Sequence, residues 1–378
     1  GHSFFNIKDI PFLSVWMVCT YYLIRMIQIF LKKKIILRKH IFLISLFSAY
    51  LISIRVSGIL IFVQYLIFAI FLVNMLKLNI IDFLKDFYKE IVSIIFLIIF
   101  FSILFRPSIW SNPTLLFEGI ILMSQYIQTV CTITLGECMK AQNLPASYLP
   151  IWFFFKLPII ILIGLALYPI VEKNLNSNKF NYLVINCFIL TIFSIIFLMI
   201  IFNVNLYDEI RHIMFLMPLI FIVSFTLMYF FSKRFFKILG VTTLLFFTIQ
   251  NIKIYPYNYI WINNFSHLTK INGLFELDYW GVSTKAVANF FNDKKLDKEI
   301  CIITNRNIGV KALLNNSDQC FLPFKNLHTK NQRPFYVAMI ERGVKKGPPY
   351  NCKPVFEEIS NLNFSKERLV LAKIYKCT

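Results

Sequence analysis

Charged residues are scarce in this sequence. Only 15% of its 378 residues are charged, whereas 58% are hydrophobic and 42 are phenylalanine. A composition this apolar excludes an ordinary water-soluble globular protein. The eight cysteines include no CxxC pair, which argues against a structural zinc site. No Walker, HExxH, GxSxG or glycine-rich dinucleotide motif occurs, so chemistry driven by ATP or nicotinamide has no support.

The apolar residues form long runs separated by short polar joints, the pattern of helices that cross a bilayer. We predict eight spans, over residues 10–30, 41–54, 59–76, 91–104, 148–171, 183–202, 213–231 and 238–252. The fold class is therefore a polytopic α-helical membrane protein, with a transmembrane domain over 1–252. The remainder, 253–378, is predicted to be a small water-soluble α/β domain.

Three local patterns refine this outline. In the water-soluble domain, Ser283 is predicted to cap a helix that ends near Asp293, and residues 300–304, 335–340 and 369–375 have the composition of strands. The joint 77–90 mixes charges with apolar residues at helical spacing, which predicts an amphipathic helix on the membrane surface. The segment 106–147 is half apolar and broken by proline and glycine, and we expect interfacial helices there.

The net charge of +20 has a distribution that indicates topology. Lysine and arginine concentrate in every second joint, at 32–40, 77–90, 172–180 and 232–237, as the positive-inside rule requires. We therefore place both chain ends, the 203–212 stretch and the water-soluble domain outside the cytosol. The basic residues of the domain lack the aromatic interleaving that suits RNA or DNA, so we expect no nucleic-acid partner. Its four cysteines permit a disulfide there without implying one.

The stretch 203–212 lies between two spans and carries Asp208, Glu209, Arg211 and His212. Ionisable groups at a membrane boundary are costly unless they face water, a partner or a ligand. Arg211, with His212 and Tyr207 beside it, suits the binding of a phosphate, because guanidinium donors are planar and always charged. Two alternatives remain open: a hydrated turn whose charged ends reach water, or a pairing of Arg211 with one of the two neighbouring carboxylates.

Other polar residues fall on the same predicted side. Asp9, next to Lys8, suits a general base or a ligand for a divalent cation, although an acidic residue before Pro11 also favours a helix start. Arg55 and Lys156 suit an anionic headgroup, with snorkelling to the membrane surface as the alternative. Three further candidates have a structural or solvated alternative and are assigned to substrate binding: Tyr148, Glu137 and Asp278.

Four segments carry a family resemblance: 1–12 (GHSFFNIKDIPF), 144–158 (LPASYLPIWFFFKLP), 206–212 (LYDEIRH) and 275–281 (FELDYWG). In this order they resemble the membrane glycosyltransferases of GT-C type. Within that class the chain is similar to bacterial homologues of the protein O-mannosyltransferases and to the aminoarabinose transferases of lipid A, both family 39-like.

The resemblance implies a polyprenyl-phosphate-linked sugar as donor and a glycan, lipid or protein as acceptor. It also implies transfer at the outer face of a bacterial inner membrane. Asp9 would match the family's second acidic position, with Lys8 beside it, whereas Arg211 and His212 would match the residues that meet the donor phosphate. The chain begins without methionine inside a matching segment, so we expect an N-terminal truncation that leaves the principal catalytic carboxylate upstream.

The leading hypothesis is thus an inverting sugar transferase, in which a carboxylate deprotonates the acceptor and Arg and His stabilise the leaving phosphate. One alternative is a transporter or flippase of a lipid-linked sugar, which could use the same cationic cluster. Transporters commonly show inverted repeats, broken helices and polar residues at mid-membrane, and the sequence has no repeat and few charges within spans. Another alternative is a non-catalytic membrane subunit with a binding domain outside the cytosol.

Overall fold

The computed structural model describes residues 8–112, 114–115, 118–119, 121, 131–263, 265, 274–297, 299–316, 318–322, 335–340, 351–361 and 368–377. The α-helices are α1 (Asp9–Lys33), α2 (Arg38–Ile54), α3 (Ile61–Leu76), α4 (Ile80–Asp86), α5 (Tyr88–Leu104), α6 (Ser108–Ser111), α7 (Tyr148–Lys156), α8 (Ile159–Ala166), α9 (Tyr168–Asn176), α10 (Lys179–Ile201), α11 (Met217–Phe231), α12 (Lys233–Ile254), α13 (Thr284–Lys294) and α14 (Asn307–Leu313). The strands are β1 (Cys131–Thr134), β2 (Glu137–Lys140), β3 (Cys301–Thr304), β4 (Phe321–Leu322), β5 (Phe335–Ile340), β6 (Cys352–Asn361) and β7 (Arg368–Cys377). Short 3₁₀ helices at Val56–Leu60 and Arg211–Leu216 lead directly into α3 and α11.

Within the described residues, five helices are long and apolar enough to cross a membrane, and two bent helix pairs raise that number to seven. The five are Asp9–Lys33, Val56–Leu76, Lys179–Ile201, Arg211–Phe231 and Lys233–Ile254. The predicted count of eight is therefore confirmed only in part. Helix α2 accounts for the difference, because its 17 residues reach about 26 Å at 1.5 Å per residue, short of an apolar bilayer core of about 30 Å.

The predicted continuous span over 148–171 is wrong, because α7 and α8 meet at an angle of 111°. Pro158 explains the break: it offers no backbone N–H and holds Leu157 in an extended conformation, with ψ of 136°. Asn263 satisfies the carbonyl groups that the break leaves open. Its side chain donates to the carbonyl oxygen of Leu157 at 2.8 Å, and its backbone N–H donates to that of Phe155 at 2.8 Å.

Beyond the bend, α8 is followed directly by α9. Helix α9 ends at Asn176, and α10 begins close by at Lys179. The end of α9 therefore lies near the start of α10, at the opposite end of that helix from Ile201. Helix α8 packs closely against α11 at Gly164, where an added Cβ would lie 2.9 Å from the carbonyl oxygen of Ser224. Helix α7 instead stays beside the residues that follow α10, since Tyr148 and Lys156 at its two ends both contact Glu209.

Part of the predicted interfacial segment 106–147 is a β-hairpin and not a helix. Strands β1 and β2 pair antiparallel, with Thr132 opposite Met139 and Thr134 opposite Glu137. Leu135 and Gly136 form the turn with positive φ angles of 52° and 86°, the backbone that a two-residue hairpin turn requires. A disulfide joins Cys131 to Cys138. The prediction of interfacial helices is therefore wrong at 131–140, and residues 113, 116–117, 120 and 122–130 lie outside the described residues.

The predicted amphipathic helix at 77–90 is confirmed as helix over Ile80–Asp86. Asn79 caps α4 by accepting the N–H of Ile81 at 3.0 Å, and α4 meets α5 at an angle of 68°. Its placement on a membrane surface stays a prediction.

The C-terminal part is a small mixed α/β unit. Helix α13 begins after Ser283, and β3, β5 and β7 coincide with the three predicted strands. The sheet has the order β4-β3-β5-β7-β6, in which β3 is parallel to β4 and β5, while β7 is antiparallel to β5 and β6. Disulfides join Cys301 to Cys320 and Cys352 to Cys377, at the ends of strands. Strands β4 and β6 were not predicted.

The helical core extends past the predicted domain boundary at residue 252. Tyr259, Ile262, Phe275 and Tyr279 are buried in the same hydrophobic cluster as the helices, whereas the sheet has separate clusters on its two faces. The described residues between α12 and α13 therefore pack with the helical core, and they carry part of the site described next.

Candidate anion site

Three helix ends bring together residues that are far apart in the sequence. Asp9 is the first residue of α1, Arg55 follows the last residue of α2, and Arg211 begins the 3₁₀ helix that leads into α11. Asp9 forms ion pairs with both arginines. The structure thus brings together three of the predicted site residues at one end of the helical bundle, and we call this group, with Asp208 and His212, the arginine cluster.

The carboxylate of Asp9 organises the cluster. It is buried, with 3% of the side chain exposed. Its Oδ1 accepts from Arg55 Nη1, and its Oδ2 accepts from Arg211 Nε at 3.0 Å. The two guanidinium groups keep 22% and 21% of their side chains exposed. A buried carboxylate therefore holds two arginine side chains that remain partly exposed, and this geometry favours a positioning role for Asp9 over that of a free base.

Asp208 supplies a second carboxylate to the same group. Arg211 Nη1 donates to its Oδ2 at 3.0 Å. One of the two alternatives left open by the sequence, a pairing of Arg211 with a neighbouring acid, is therefore what the structure shows. The formal charge of the four side chains, two arginines and two aspartates, is zero.

His212 offers a further hydrogen-bond donor. Its Nδ1 lies 3.1 Å from Arg55 Nη2, and because a guanidinium only donates, we assign the tautomer in which Nδ1 accepts and Nε2 carries the proton. Nε2 is buried and has no hydrogen-bond partner among the described residues. A buried N–H without an acceptor is costly, so this group suits an anion that enters beside the arginines.

Aromatic rings flank Arg211. Its guanidinium carbon lies 4.7 Å from the ring centre of Trp280 and 5.6 Å from that of Tyr207, both within the range of cation–π contacts. The Tyr207 and His212 rings meet edge to face at 4.5 Å. These contacts restrict Arg211 to one orientation, and Trp280 ties it to the segment that precedes α13.

The loop before Arg211 adopts an unusual backbone. Asp208 and Glu209 have φ angles of 57° and 65°, a left-handed conformation that costs most residues with a Cβ about 1–2 kcal/mol and that aspartate tolerates better than most. The two successive residues direct their carboxylates to different partners, Asp208 to Arg211 and Glu209 to Lys156. The hairpin stabilises this turn, because Thr132 Oγ1 accepts the backbone N–H of Asp208 at 3.1 Å.

Lys156 and Glu209 form a buried ion pair below this loop. Lys156 Nζ lies 2.6 Å from Glu209 Oε2, and the two side chains are 4% and 0% exposed. Lys156 also donates to the carbonyl oxygen of Tyr259 at 3.1 Å, while the Tyr148 hydroxyl donates to that of Glu209 at 3.3 Å. Burial raises the pKa of Glu209 to about 8, and the positive charge of Lys156 opposes that rise. The phosphate role of Lys156 and the substrate role of Tyr148 stay predictions, and these contacts give both side chains a structural partner.

The remaining predicted site residues lie apart from the arginine cluster. Lys8 is exposed at the start of α1, and Glu137 is exposed on β2. Asp278 is buried, and its oxygens accept from the hydroxyl of Tyr259, the backbone N–H of Val282 at 2.9 Å and that of Ser283 at 3.2 Å. Burial raises the pKa of Asp278 to about 6, while the donors of Ser283 and Val282 oppose the rise. Asp278 therefore holds the start of α13, and its substrate role stays a prediction.

A metal role for Asp9 finds no further ligand set. Across the part of the chain that the structure describes, no group of three or more His, Cys, Asp and Glu side chains is placed to hold a metal ion. The two arginines that Asp9 contacts carry positive charges, which would repel a metal cation.

Several residues that shape the site were missed from the sequence. Thr132 lies in a segment predicted as helix, although alternating β-branched residues and two cysteines seven positions apart were a signal for a hairpin there. The Lys156–Glu209 pair had one signal, a lysine two residues before Pro158 in an apolar helix. The stacking of Trp280 on Arg211 joins residues distant in sequence, and no local pattern announces it.

Comparisons of the chain with protein-family models, with curated proteins and with solved structures found no match. The class that the fold and site define is therefore broad: a mostly helical protein with five to seven helices suited to a membrane, a small C-terminal sheet, and an arginine cluster at one end of the bundle.

Proposed function

We propose that this chain belongs to a membrane glycosyltransferase that transfers a sugar from a polyprenyl-phosphate donor to an acceptor on the outer face of a bacterial inner membrane. The observation that carries the proposal is the arginine cluster, in which Asp9 holds two partly exposed arginine side chains at the end of the helical bundle. Guanidinium is the side chain best suited to bind a phosphate group. The resemblance of four segments to GT-C transferases supports sugar transfer as the reaction.

The reaction breaks the bond between the anomeric carbon and the phosphate oxygen of the donor. A bond from that carbon to the acceptor oxygen replaces it, and the acceptor hydroxyl releases its proton to a base. Negative charge develops on the leaving phosphate, where Arg55, Arg211 and the Nε2–H of His212 would stabilise it. We assign Asp9 the positioning of both arginines, because each of its oxygens accepts from one of them.

The alternative of a flippase receives less support from the described helices. Polar groups buried between the helices bond to one another: Trp16 donates to Gln64 at 2.8 Å, and Gln64 donates to Thr20 at 2.9 Å. These side chains are uncharged and their hydrogen bonds are satisfied, which suits helix packing more than a route for a charged headgroup.

Lipid binding tests the proposal. We would reconstitute the protein in nanodiscs and measure the affinity for a polyprenyl phosphate. Arg211→Gln and Arg55→Gln should each weaken binding by roughly ten- to a hundred-fold, since one charge-assisted contact contributes about 1.5–3 kcal/mol. The matched control is Arg234→Gln, which removes the same charge from an exposed position at the start of α12. Unchanged affinity in both cluster variants would refute the phosphate site.

The orientation has its own test. A cysteine at the highly exposed position 308 (Ile308→Cys) should react with a membrane-impermeant reagent in intact cells, whereas Arg234→Cys should react only after lysis. The two native free cysteines, Cys19 and Cys187, are buried and give little background. The reverse pattern would place the arginine cluster on the cytosolic side and contradict transfer at the outer face.

A further inference from the structure

The arginine cluster has a charge that is unexpected for a strong anion site. Asp9 and Asp208 together cancel the formal charges of Arg55 and Arg211. Asp9 has an evident structural reason to be there, since it holds both arginines. Asp208 lies three positions before Arg211 and accepts a hydrogen bond from its Nη1. Asp9 and Trp280 already set the orientation of Arg211.

The fold fixes the position of Asp208 beside Arg211, so that its carboxylate stays next to the two guanidinium groups. Its backbone lies in the left-handed region, with φ of 57°, and the neighbouring Glu209 does too. The hydroxyl of Thr132 holds its N–H. Meanwhile the buried Nε2 of His212 has no hydrogen-bond partner among the described residues, so the cluster retains a donor suited to an incoming anion.

We propose that Asp208 determines the charge of the anion that this cluster accepts, and favours a singly charged phosphodiester over a doubly charged phosphomonoester. The inference rests on the proposed function and refines it. A sugar joined to a lipid through one phosphate is a diester with one negative charge. Once the sugar has left, the lipid carries a monoester with close to two charges at pH 7.5, because its second pKa is near 6.

Coulomb energy explains the discrimination. The repulsion between Asp208 and a bound phosphate is proportional to the ligand's charge, so it is about twice as large for the monoester as for the diester. Asp208 therefore weakens the retention of the product more than the binding of the donor. The role of this residue is selection of the ligand by its charge, distinct from the gripping role of Arg55 and Arg211.

The test compares two lipids with the same polyprenyl tail, one a phosphate monoester and the other its methyl phosphodiester. Affinities are measured at pH 7.5 in nanodiscs of neutral lipid, for the wild-type protein and for Asp208→Asn. If the substitution tightens diester binding by about three-fold, it should tighten monoester binding by about ten-fold, because doubling the charge squares the fold-change. Asp293→Asn, an exposed position on α13, is the matched control and should change neither affinity.

The outcomes separate this inference from the proposed function. Should Asp208→Asn weaken both lipids, or tighten both equally, Asp208 is a positioning residue for Arg211 and the inference is overturned while the phosphate site stands. Should Arg211→Gln and Arg55→Gln both leave the two affinities unchanged, the proposed function itself fails.

The wild-type protein supplies a measurement that does not depend on the folding of a variant. It should bind the diester at least as tightly as the monoester, despite the smaller charge. A wild-type preference for the monoester of ten-fold or more would overturn the inference.

Discussion

Removing one partner of the buried Lys156–Glu209 pair should destabilise the protein far more than removing both. The two charged atoms are 2.6 Å apart, and the side chains are 4% and 0% exposed, so water cannot solvate a charge left alone. Loss of one partner of a buried pair typically costs about 3–5 kcal/mol, whereas replacement of both partners by neutral groups of similar volume is often nearly neutral. The variants are Lys156→Met, Glu209→Gln and their combination.

These energies determine the expected shifts in Tm. The entropy of unfolding is about 2.1 cal/mol/K per residue, so for 378 residues 1 kcal/mol corresponds to roughly 1.3 °C in Tm. Each single variant should therefore melt about 4–6 °C below the wild type at pH 9, where Glu209 is ionised. The double variant should recover most of that loss. Lys173→Met removes a lysine from an exposed position on α9, and this control should leave Tm within about 1–2 °C of the wild type.

The pH dependence gives an independent check. Burial raises the pKa of Glu209 to about 8 in the folded protein, above its ordinary value of 4.5. A group with a raised pKa contributes stability at low pH that is lost as the pH rises through the folded pKa. In Lys156→Met the opposing positive charge is gone and the pKa of Glu209 rises further. The Tm deficit of this variant should therefore be smaller at pH 6, where Glu209 binds a proton, than at pH 9.

The assay is thermal unfolding of the purified protein in one detergent, followed by tryptophan fluorescence, with polyprenyl phosphate affinity measured on each folded variant. Single variants within 2 °C of the wild type would refute a desolvated ion pair. Loss of phosphate-lipid binding in a stable double variant would show that Lys156 contacts the ligand, contrary to the pairing described here.

Three further predictions concern local packing. Gly164→Ala should lower Tm, because the added Cβ would lie 2.9 Å from the carbonyl oxygen of Ser224 and overpacking typically costs about 1–3 kcal/mol; an unchanged Tm would contradict the close contact of α8 and α11. Gly58→Ala should weaken polyprenyl phosphate binding several-fold, since its Cβ would lie 2.9 Å from backbone atoms of α2 and so displace the turn that carries Arg55; wild-type affinity would refute this link. Asp278→Asn should lower Tm by a few degrees through loss of hydrogen bonds at the start of α13, and a variant as stable as the wild type would show that those bonds are dispensable.

Hydrophobic pattern predicted the parts of the fold that depend on local composition. The long apolar helices were found because a bilayer imposes a length and a polarity on each span, and Ser283 marked the start of α13. The sequence also placed Asp9, Arg55 and Arg211 on one side through the alternation of basic joints, and the structure joins them in one cluster. Their function in phosphate binding remains untested.

The errors came from interactions between distant segments. The hairpin at 131–140 has an apolar content like that of a surface helix, but its backbone pairs with residues 274–276, as when Ile133 accepts the N–H of Glu276 at 3.1 Å. The break between α7 and α8 is tolerable because Asn263, more than a hundred residues later, satisfies its carbonyl groups. No local pattern contains such partners, so the sequence alone suggested a continuous span and surface helices.

The most direct test of sugar transfer is mass spectrometry of polyprenyl-phosphate sugars in cells that lack this gene, complemented with the wild-type protein or with Arg211→Gln. We expect that one species of polyprenyl-phosphate-linked sugar accumulates on the outer leaflet in the deletion, disappears with the wild-type protein and persists with the variant. An unchanged lipid pool, or accumulation confined to the inner leaflet as expected for a missing flippase, would contradict it.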